Sequence, residues 1–208
     1  MKMKIKLLSL FPFFILLSSS QTVFSQSASQ NYKLGKKAAL DGKSIEAIDY
    51  FTKAIELSPK DYDYLSARGK QYELRKEFEK AIADYDSALV AHPKDEEMAM
   101  HIADLNIKIT KYEDAVTVLK YMLSRDDSNF EAMEKLASCL LKVKDYNEVI
   151  HVCTFAINFV KHKNDYYYHY YIAIAKDSMK DYNFACAEYD TALTFRQNYD
   201  KGKRRLIR

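Results

Sequence analysis

The sequence predicts an all-α protein made of stacked helix pairs, and three observations support this. Glycine and proline are scarce, at 4 and 3 of 208 residues, which is too few for the many tight turns of a sandwich or barrel. Hydrophobic residues make up 48% of the chain and charged residues 29%, so a sizeable core can be buried. Small and aromatic residues recur every 34 positions, a spacing typical of helix–turn–helix repeats.

The N-terminal segment 1–25 has the three-part pattern of a secretory signal peptide. Three lysines precede an apolar run over residues 7–17, and a polar stretch follows up to Ser25. The run is shorter than the ~20 residues that a membrane-spanning helix needs. The sequence therefore predicts a signal peptide over residues 1–25 and an exported mature protein, periplasmic or secreted, without an integral membrane span. The alternative is an uncleaved anchor or a buried helix.

The mature chain is expected to be electrically neutral. The full chain has 32 Lys and Arg against 29 Asp and Glu, and three of the lysines lie in the predicted signal peptide. A neutral chain has no global attraction to the phosphate backbone, so a nucleic-acid partner is not expected. The exception is the basic segment 200–208, which is predicted to be a solvated C-terminal tail; the alternative is a weak contact with anionic lipid headgroups.

Five repeats account for the segment 26–199. Gly35 recurs as Gly69, and Pro59 recurs as Pro93 at the same interval. This step also links a column of small residues, and its last interval is longer because two residues are inserted near Asn164. The column consists of Ala47, Ala81, Ala115, Val149 and Ala185. The predicted repeats are 28–61, 62–95, 96–129, 130–163 and 166–199.

Each repeat is predicted to form two helices joined by a short turn. In the second helix of repeat two, apolar residues from Ala81 to Leu89 follow one another at steps of three and four, the period of an α-helix. Pro93 follows the end of this helix, which it cannot continue because it lacks an N–H and clashes with the preceding turn. The small residues of the two helices are expected to face each other where the helices cross, since only small side chains permit close packing.

The repeats resemble the tetratricopeptide repeat. Repeat two matches that family most completely, at Leu65, Gly69, Tyr72, Ala81, Tyr85, Ala88 and Pro93. Departures include Ser44, where later repeats have an aromatic residue, and Arg68, where leucine is usual. The resemblance implies an α-solenoid of about five helix–turn–helix repeats in a right-handed superhelix. It also implies an inner groove lined by the first helix of each repeat.

A set of groove residues follows from this register as candidates for binding a protein or peptide partner. They are Tyr32, Lys36, Lys70, Glu73, Met100, Asp104, Glu134, Tyr167 and Tyr170. Tyr167 and Tyr170 are predicted anchors, because tyrosine is enriched in binding hot spots; the alternative is that the tyrosines of this run fill helix interfaces or are ordinary exposed residues. Acidic residues dominate the middle of the groove, which favours a basic or mixed peptide segment. The Lys–Asn pairing of the family's carboxylate clamp is missing.

The motifs of this sequence do not predict an active site. The five histidines lack metal-ligand spacing, and phosphate loops, nucleophile elbows and dinucleotide fingerprints are missing. We therefore expect no enzyme activity, no cofactor and no metal. Cys139, Cys153 and Cys186 are expected to be free buried thiols, with a single disulfide as the alternative.

Two functions are compatible with this pattern. The first is a non-enzymatic interaction module of the cell envelope or secreted space that binds a partner segment in the groove. The second is a structural subunit of an envelope-associated assembly that contacts its partners through the ends of the array. Only a short segment, 200–208, follows the fifth repeat, so Phe195 and its neighbours are expected to be partly uncovered. A homo-oligomer through this C-terminal end would cover them. A third hypothesis is an enzyme with an unrecognised site, which the lack of catalytic motifs disfavours.

Overall fold

The computed structural model describes residues 27–159 and 165–206, except for the side chains of residue 165 and residues 198–206. The predicted signal peptide, residues 1–25, lies outside the described residues. Every regular element within the described residues is an α-helix, which confirms the all-α class. No helix in these ranges combines the length and the apolar character needed to cross a bilayer.

Ten helices lie within the described residues. In chain order they are α1 (27–40), α2 (Ser44–Leu57), α3 (Tyr62–Leu74), α4 (Phe78–Ala91), α5 (Glu96–Lys108), α6 (Tyr112–Leu123), α7 (Phe130–Lys142), α8 (Tyr146–Phe159), α9 (Asp165–Ser178) and α10 (Tyr182–Leu206). The last of them is the longest at 25 residues. The segment expected as a basic tail is therefore helical up to Leu206, as a continuation of α10.

The helices form two compact units that meet in sequence between Lys94 and Asp95. The first unit contains α1 to α4, and α3 packs there against both α2 and α4. The second unit contains α5 to α10, and its consecutive helices pack against one another. In addition, α9 contacts α7 as well as α8, so it lies against both helices of the preceding pair.

A left-handed residue closes the turn within every helix pair. These residues are Gly42 (φ 74°), Lys76 (φ 62°), Thr110 (φ 62°), Lys144 (φ 63°) and Lys180 (φ 66°). The N–H that follows each of them bonds to a carbonyl five residues back, as from Glu77 to Tyr72 at 2.9 Å. This bond satisfies one of the carbonyl groups left unpaired at the helix end, and the motif repeats at the spacing of the sequence repeats.

Side-chain caps start the first helix of three pairs. The Asp61 carboxylate accepts hydrogen bonds from two backbone N–H groups of α3, and the side chains of Asp95 and Asn129 each accept one from α5 and α7. Aspartate and asparagine are favoured at this position because their oxygens satisfy the first free N–H groups of a helix. The three caps are spaced at exactly one repeat from each other, so the period of the sequence also sets where these helices begin.

The glycines of the repeats lie against aromatic rings. A Cβ added to Gly35 would lie 2.6 Å from the Phe51 ring, and one added to Gly69 would lie 2.7 Å from the Tyr85 ring. Alanines such as Ala47 and Ala81 are completely buried, as expected for small residues at helix contacts. The atoms nearest to a Cβ added at either glycine belong to an aromatic ring of the second helix, so each glycine leaves the space that this ring occupies.

Candidate protein-binding surface

In the first unit, two of the predicted groove residues lie side by side on α1. The Tyr32 ring packs against Tyr64, with ring centroids 4.8 Å apart, and against Phe51 at 5.8 Å. The Lys36 ammonium group lies 4.6 Å from the centroid of the same Tyr32 ring. Burial, and then the charges of Asp63 and Asp61, raise the pKa of Tyr32. Tyr32 therefore serves in packing, while Lys36 is exposed.

The other two predicted groove residues of the first unit, both on α3, also differ in exposure. Lys70 is exposed. Glu73 is half-buried, and its carboxylate accepts a hydrogen bond of 3.1 Å from the Tyr85 hydroxyl. Burial, and then the charge of Glu73, raise the pKa of Tyr85, so this hydroxyl remains a donor at neutral pH. Glu73 is therefore part of a structural hydrogen bond, which limits its availability to a partner.

In the second unit, a lysine that the sequence analysis missed lies among the predicted acidic residues. The Lys135 ammonium group on α7 forms an ion pair with Asp104 on α5, and another with Glu131 at 3.1 Å. This contact links the first helices of two consecutive pairs. The acidic character expected for this surface is thus partly neutralised. The separation of Asp104 and Lys135 in the chain does not reveal the pair in the sequence.

Glu134 lies close to the tyrosines of α9. Its side chain is half-buried, and burial together with the charge of Glu131 raises the pKa of the Glu134 carboxyl. The Tyr171 hydroxyl hydrogen-bonds with Ser138, and burial, followed by the charge of Glu134, raises the pKa of Tyr171 to about 12. Met100, on α5, is half-buried as well. The predicted groove residues therefore change from Met100 and Asp104 on α5 to tyrosines on α9.

A tyrosine-lined cleft opens between α9 and α10. Its volume is about 470 Å³, and its lining consists of Tyr166, Tyr167, Tyr170, Tyr189, Ala192, Leu193 and Arg196. The Tyr166 and Tyr167 rings pack together with centroids 4.1 Å apart, and those of Tyr170 and Tyr189 are 6.0 Å apart. Of the nine predicted groove residues, Tyr167 and Tyr170 are thus brought together in one concave site. We call this site the tyrosine cleft.

The tyrosine run of α9 divides between packing and exposure. Tyr168 is buried at 3% exposure, whereas Tyr170 is 46% exposed. The burial of Tyr168 agrees with packing between helices, and the role of Tyr170 as an anchor for a partner stays a prediction. Elsewhere on α9, the His169 ring stacks on Phe195 at 5.4 Å, and its Nδ1 atom lies 2.6 Å from a Glu188 carboxylate oxygen. Phe195 nevertheless keeps 43% of its surface exposed.

A buried ion pair explains the departure at Arg68. The Arg68 guanidinium group donates two hydrogen bonds to the Asp84 carboxylate, at 2.8 and 2.7 Å, and a third to Thr52 at 3.0 Å. Asp84 is 6% exposed. The hydrogen bond to Asp84 is the main cause that raises the pKa of Arg68. This cluster holds α2, α3 and α4 together, and its hydrogen bonds serve packing rather than a ligand.

The cysteines are all free within the structure, but they differ in exposure. Cys139 and Cys153 are buried, and burial raises the pKa of their thiols to about 11 and about 12. Such thiols are poor nucleophiles at neutral pH. Cys186, on α10, is exposed, so the expectation of three buried thiols was wrong for this residue. Among the described residues, no group of three or more potential ligands is arranged to hold a metal ion.

Two family models match the sequence. Residues 96–207, more than half of the chain, match the TT21 fifth ARM repeats domain, and residues 32–96 match the tetratricopeptide repeat. A curated relative, serine/threonine-protein phosphatase T of Aspergillus oryzae, is 28% identical over 120 residues. That match takes in 57% of this chain, and the chain spans about a quarter of the length of the relative.

Solved structures with the same fold include two further proteins. YrrB, described as a TPR protein with an unusual peptide-binding site, aligns with a TM-score of 0.62 at 14% identity, over 93% of this chain and 98% of YrrB. MamA 41-end from Desulfovibrio magneticus RS-1 aligns with a TM-score of 0.57 at 15% identity, over 83% of this chain and 96% of that one. At these identities the likeness shows the fold alone. The family models show that the chain belongs to the family of the TT21 fifth ARM repeats domain, through residues 96–207, and that residues 32–96 are tetratricopeptide repeats.

Proposed function

We propose that this protein is a non-enzymatic interaction module of the cell envelope or the secreted space. Its proposed task is to bind a segment of a partner protein on the surface formed by α5, α7 and α9. Repeat proteins of this kind generally act as interaction scaffolds, and the fold is that of such a protein. The signal-like pattern of residues 1–25 supports export.

The tyrosine cleft is the observation that carries this proposal. Tyr167 and Tyr170 offer aromatic surface with polar edges in a concave site, which is the composition of a binding hot spot. The charge of Glu134, which acts on Tyr171 of the same helix as the two anchors, favours a partner segment that combines an apolar anchor with a basic residue. YrrB provides a parallel, since it is described as having a peptide-binding site on the same fold.

The proposal is tested by replacing the two anchors together. We expect Tyr167→Ala with Tyr170→Ala to abolish the cross-linked partner that the full chain captures from a native envelope fraction. The matched control is Tyr121→Ala, which removes another exposed tyrosine, on α6. Circular dichroism of both variants checks that the helices are retained. An unchanged set of cross-linked partners in the double variant would contradict the proposal.

A second candidate function is that of a structural subunit that contacts its partners through the end of the array. The observation in its favour is the apolar surface of α10, where Tyr182, Phe184, Leu193 and Phe195 are 43–58% exposed. A homo-oligomer through this C-terminal end is one form of such a contact. Substitutions on α10 should then disturb assembly more than substitutions at Met100 or Asp104.

A further inference from the structure

On α10, two apolar positions are exposed that are half-buried in the other helix pairs of the second unit. Val116 and Leu123 occupy these positions on α6, and Ile150 and Ile157 occupy them on α8; all four are half-buried. The equivalent residues of α10 are Cys186 and Leu193. Both are exposed, and Leu193 shows 54% of its surface. This side of α10 therefore lacks the cover that the preceding second helices have.

The first helix of the last pair shows the same difference. Glu134 on α7 is half-buried, and the neighbouring Ser138 hydrogen-bonds with Tyr171 of the following pair. The residue of α9 equivalent to Glu134 is Tyr170, which is 46% exposed. Since α9 itself packs against both α7 and α8, the tyrosine cleft corresponds to the slot that a further helix would fill. The cleft therefore has the form of a receptor for a helix.

The charge pattern of α10 identifies a second copy of this chain as the source of that helix. Residues 181–190 contain three acidic residues and no basic one, whereas residues 196–205 contain five basic residues and one acidic one. A helix with oppositely charged halves is complementary to itself only in the antiparallel orientation. A two-fold contact requires such self-complementarity, because each copy presents the same surface.

The alignment of the two helices in such a pair follows from three exposed residues of α10. Arg196 and Asp190 lie three residues on either side of Leu193, and both are exposed. Within the described residues, neither side chain forms an ion pair. In an antiparallel pair centred on Leu193, Arg196 of each copy therefore comes beside the other copy's position 190.

We propose that the chain forms a two-fold dimer in which the α10 helices pair antiparallel about Leu193, each lying over the tyrosine cleft of the other copy. The proposal rests on the second candidate function above. It requires that Arg196 and Asp190 form ion pairs between copies and that Leu193 is buried at the centre. The contact places α10 of the other copy against the tyrosine cleft of each chain.

The test is the oligomeric state of the full chain and its variants by sedimentation equilibrium. We expect a concentration-dependent dimer for the parent chain. Leu193→Asp, and separately Arg196→Asp, should each raise the dimer dissociation constant by about tenfold or more. The combined variant Arg196→Asp with Asp190→Arg restores the pair with reversed signs, and should return the constant to within about threefold of the parent.

The control is Val90→Asp, which places the same charge at another exposed apolar residue, on α4. It should leave the dimer unchanged, and circular dichroism should show intact helices in every variant. A strictly monomeric parent, a dimer insensitive to Leu193→Asp, or a failure of the charge reversal to restore association would each overturn the proposal. The second copy and the partner segment would use the same cleft, so the dimer and the partner complex are alternative states of the chain. A monomeric parent chain that captures the envelope partner would overturn the dimer and leave the groove function intact, so the two proposals fail separately.

Discussion

The α3–α4 pair of the first unit and the α5–α6 pair of the second have side chains of different chemistry at equivalent positions of the interface between their two helices. In the first, Arg68 and Asp84 form a buried, doubly hydrogen-bonded ion pair between the helices. At the equivalent positions one repeat later, the second has Ile102 and Val118. Ile102 is completely buried. This position of the helix interface therefore accommodates a pair of charges in one repeat and a pair of apolar residues in the next.

The residues at the positions of Gly69 and Tyr85 also differ between the two units, in size rather than in charge. In the first unit, Gly69 makes room for the Tyr85 ring. The equivalent residues in the second unit are Ala103 and Leu119, which are both completely buried. A larger residue on one helix is thus accompanied by a smaller one on the other. The third repeat, which looks degenerate in sequence, therefore keeps a similar side-chain volume at this point of the interface.

The largest effect is expected from breaking the ion pair. Asp84→Ala leaves the partly buried Arg68 guanidinium group without its carboxylate, which should cost about 3 kcal/mol of unfolding free energy. The double variant Arg68→Ile with Asp84→Val copies the second unit and should lie within about 1 kcal/mol of the parent. Urea unfolding measures both variants. Glu79→Ala, which changes an exposed acid on the same helix, is the control.

If Asp84→Ala and the double variant lost the same unfolding free energy, the two interfaces would not be equivalent. The charges would then contribute something that apolar residues of similar size cannot replace.

A smaller loss of unfolding free energy is expected from filling the space beside the Tyr85 ring. In Gly69→Ala the new methyl group would lie 2.7 Å from the Tyr85 ring, which is itself 4% exposed and cannot move away. We expect a cost of about 1–3 kcal/mol from this overpacking. Adding Tyr85→Leu reproduces the alanine–leucine pair of the second unit and should recover most of the loss. Thermal unfolding that is the same for Gly69→Ala and its parent would show that the ring does not fix the spacing.

The smallest effect concerns the turns, where the first pair has Gly42 and the third has Thr110. A β-branched residue with φ of 62° adopts a conformation that is strained for side chains of its type. Thr110→Gly should therefore raise the unfolding free energy by up to about 1 kcal/mol, by relieving the strain. Gly42→Thr is the reverse substitution and should lower stability by a similar amount. Equal melting temperatures for all three chains would contradict this account.

Much of the fold is predictable from the sequence because its signals are local. The helical period of apolar residues and the left-handed turns recur once per repeat, and the caps at Asp61, Asp95 and Asn129 recur in three successive repeats. The position of α9 after the two-residue insertion is predictable in the same way. The extension of α10 to Leu206 is less evident, because a charged segment is compatible with either a helix or a solvated tail.

The candidate site was predictable only in part. The register placed Tyr167 and Tyr170 together, since residues three apart lie on one face of a helix. The partners Lys135 for Asp104, Tyr85 for Glu73 and Asp84 for Arg68 were not predicted. Each pair joins two different helices, and the rotation of one helix against another is not contained in either helical period.

The sequence by itself determined that this protein is an array of helix pairs, since its periodic small residues, caps and turns act within a few residues of one another. The tertiary structure decided which polar side chains neutralise each other, which tyrosines are buried and which line a cleft, and where α10 leaves apolar surface uncovered. Those outcomes depend on the distances between helices that are far apart in the chain. Such distances arise only when the whole core packs, because every side chain is fitted against neighbours from several helices.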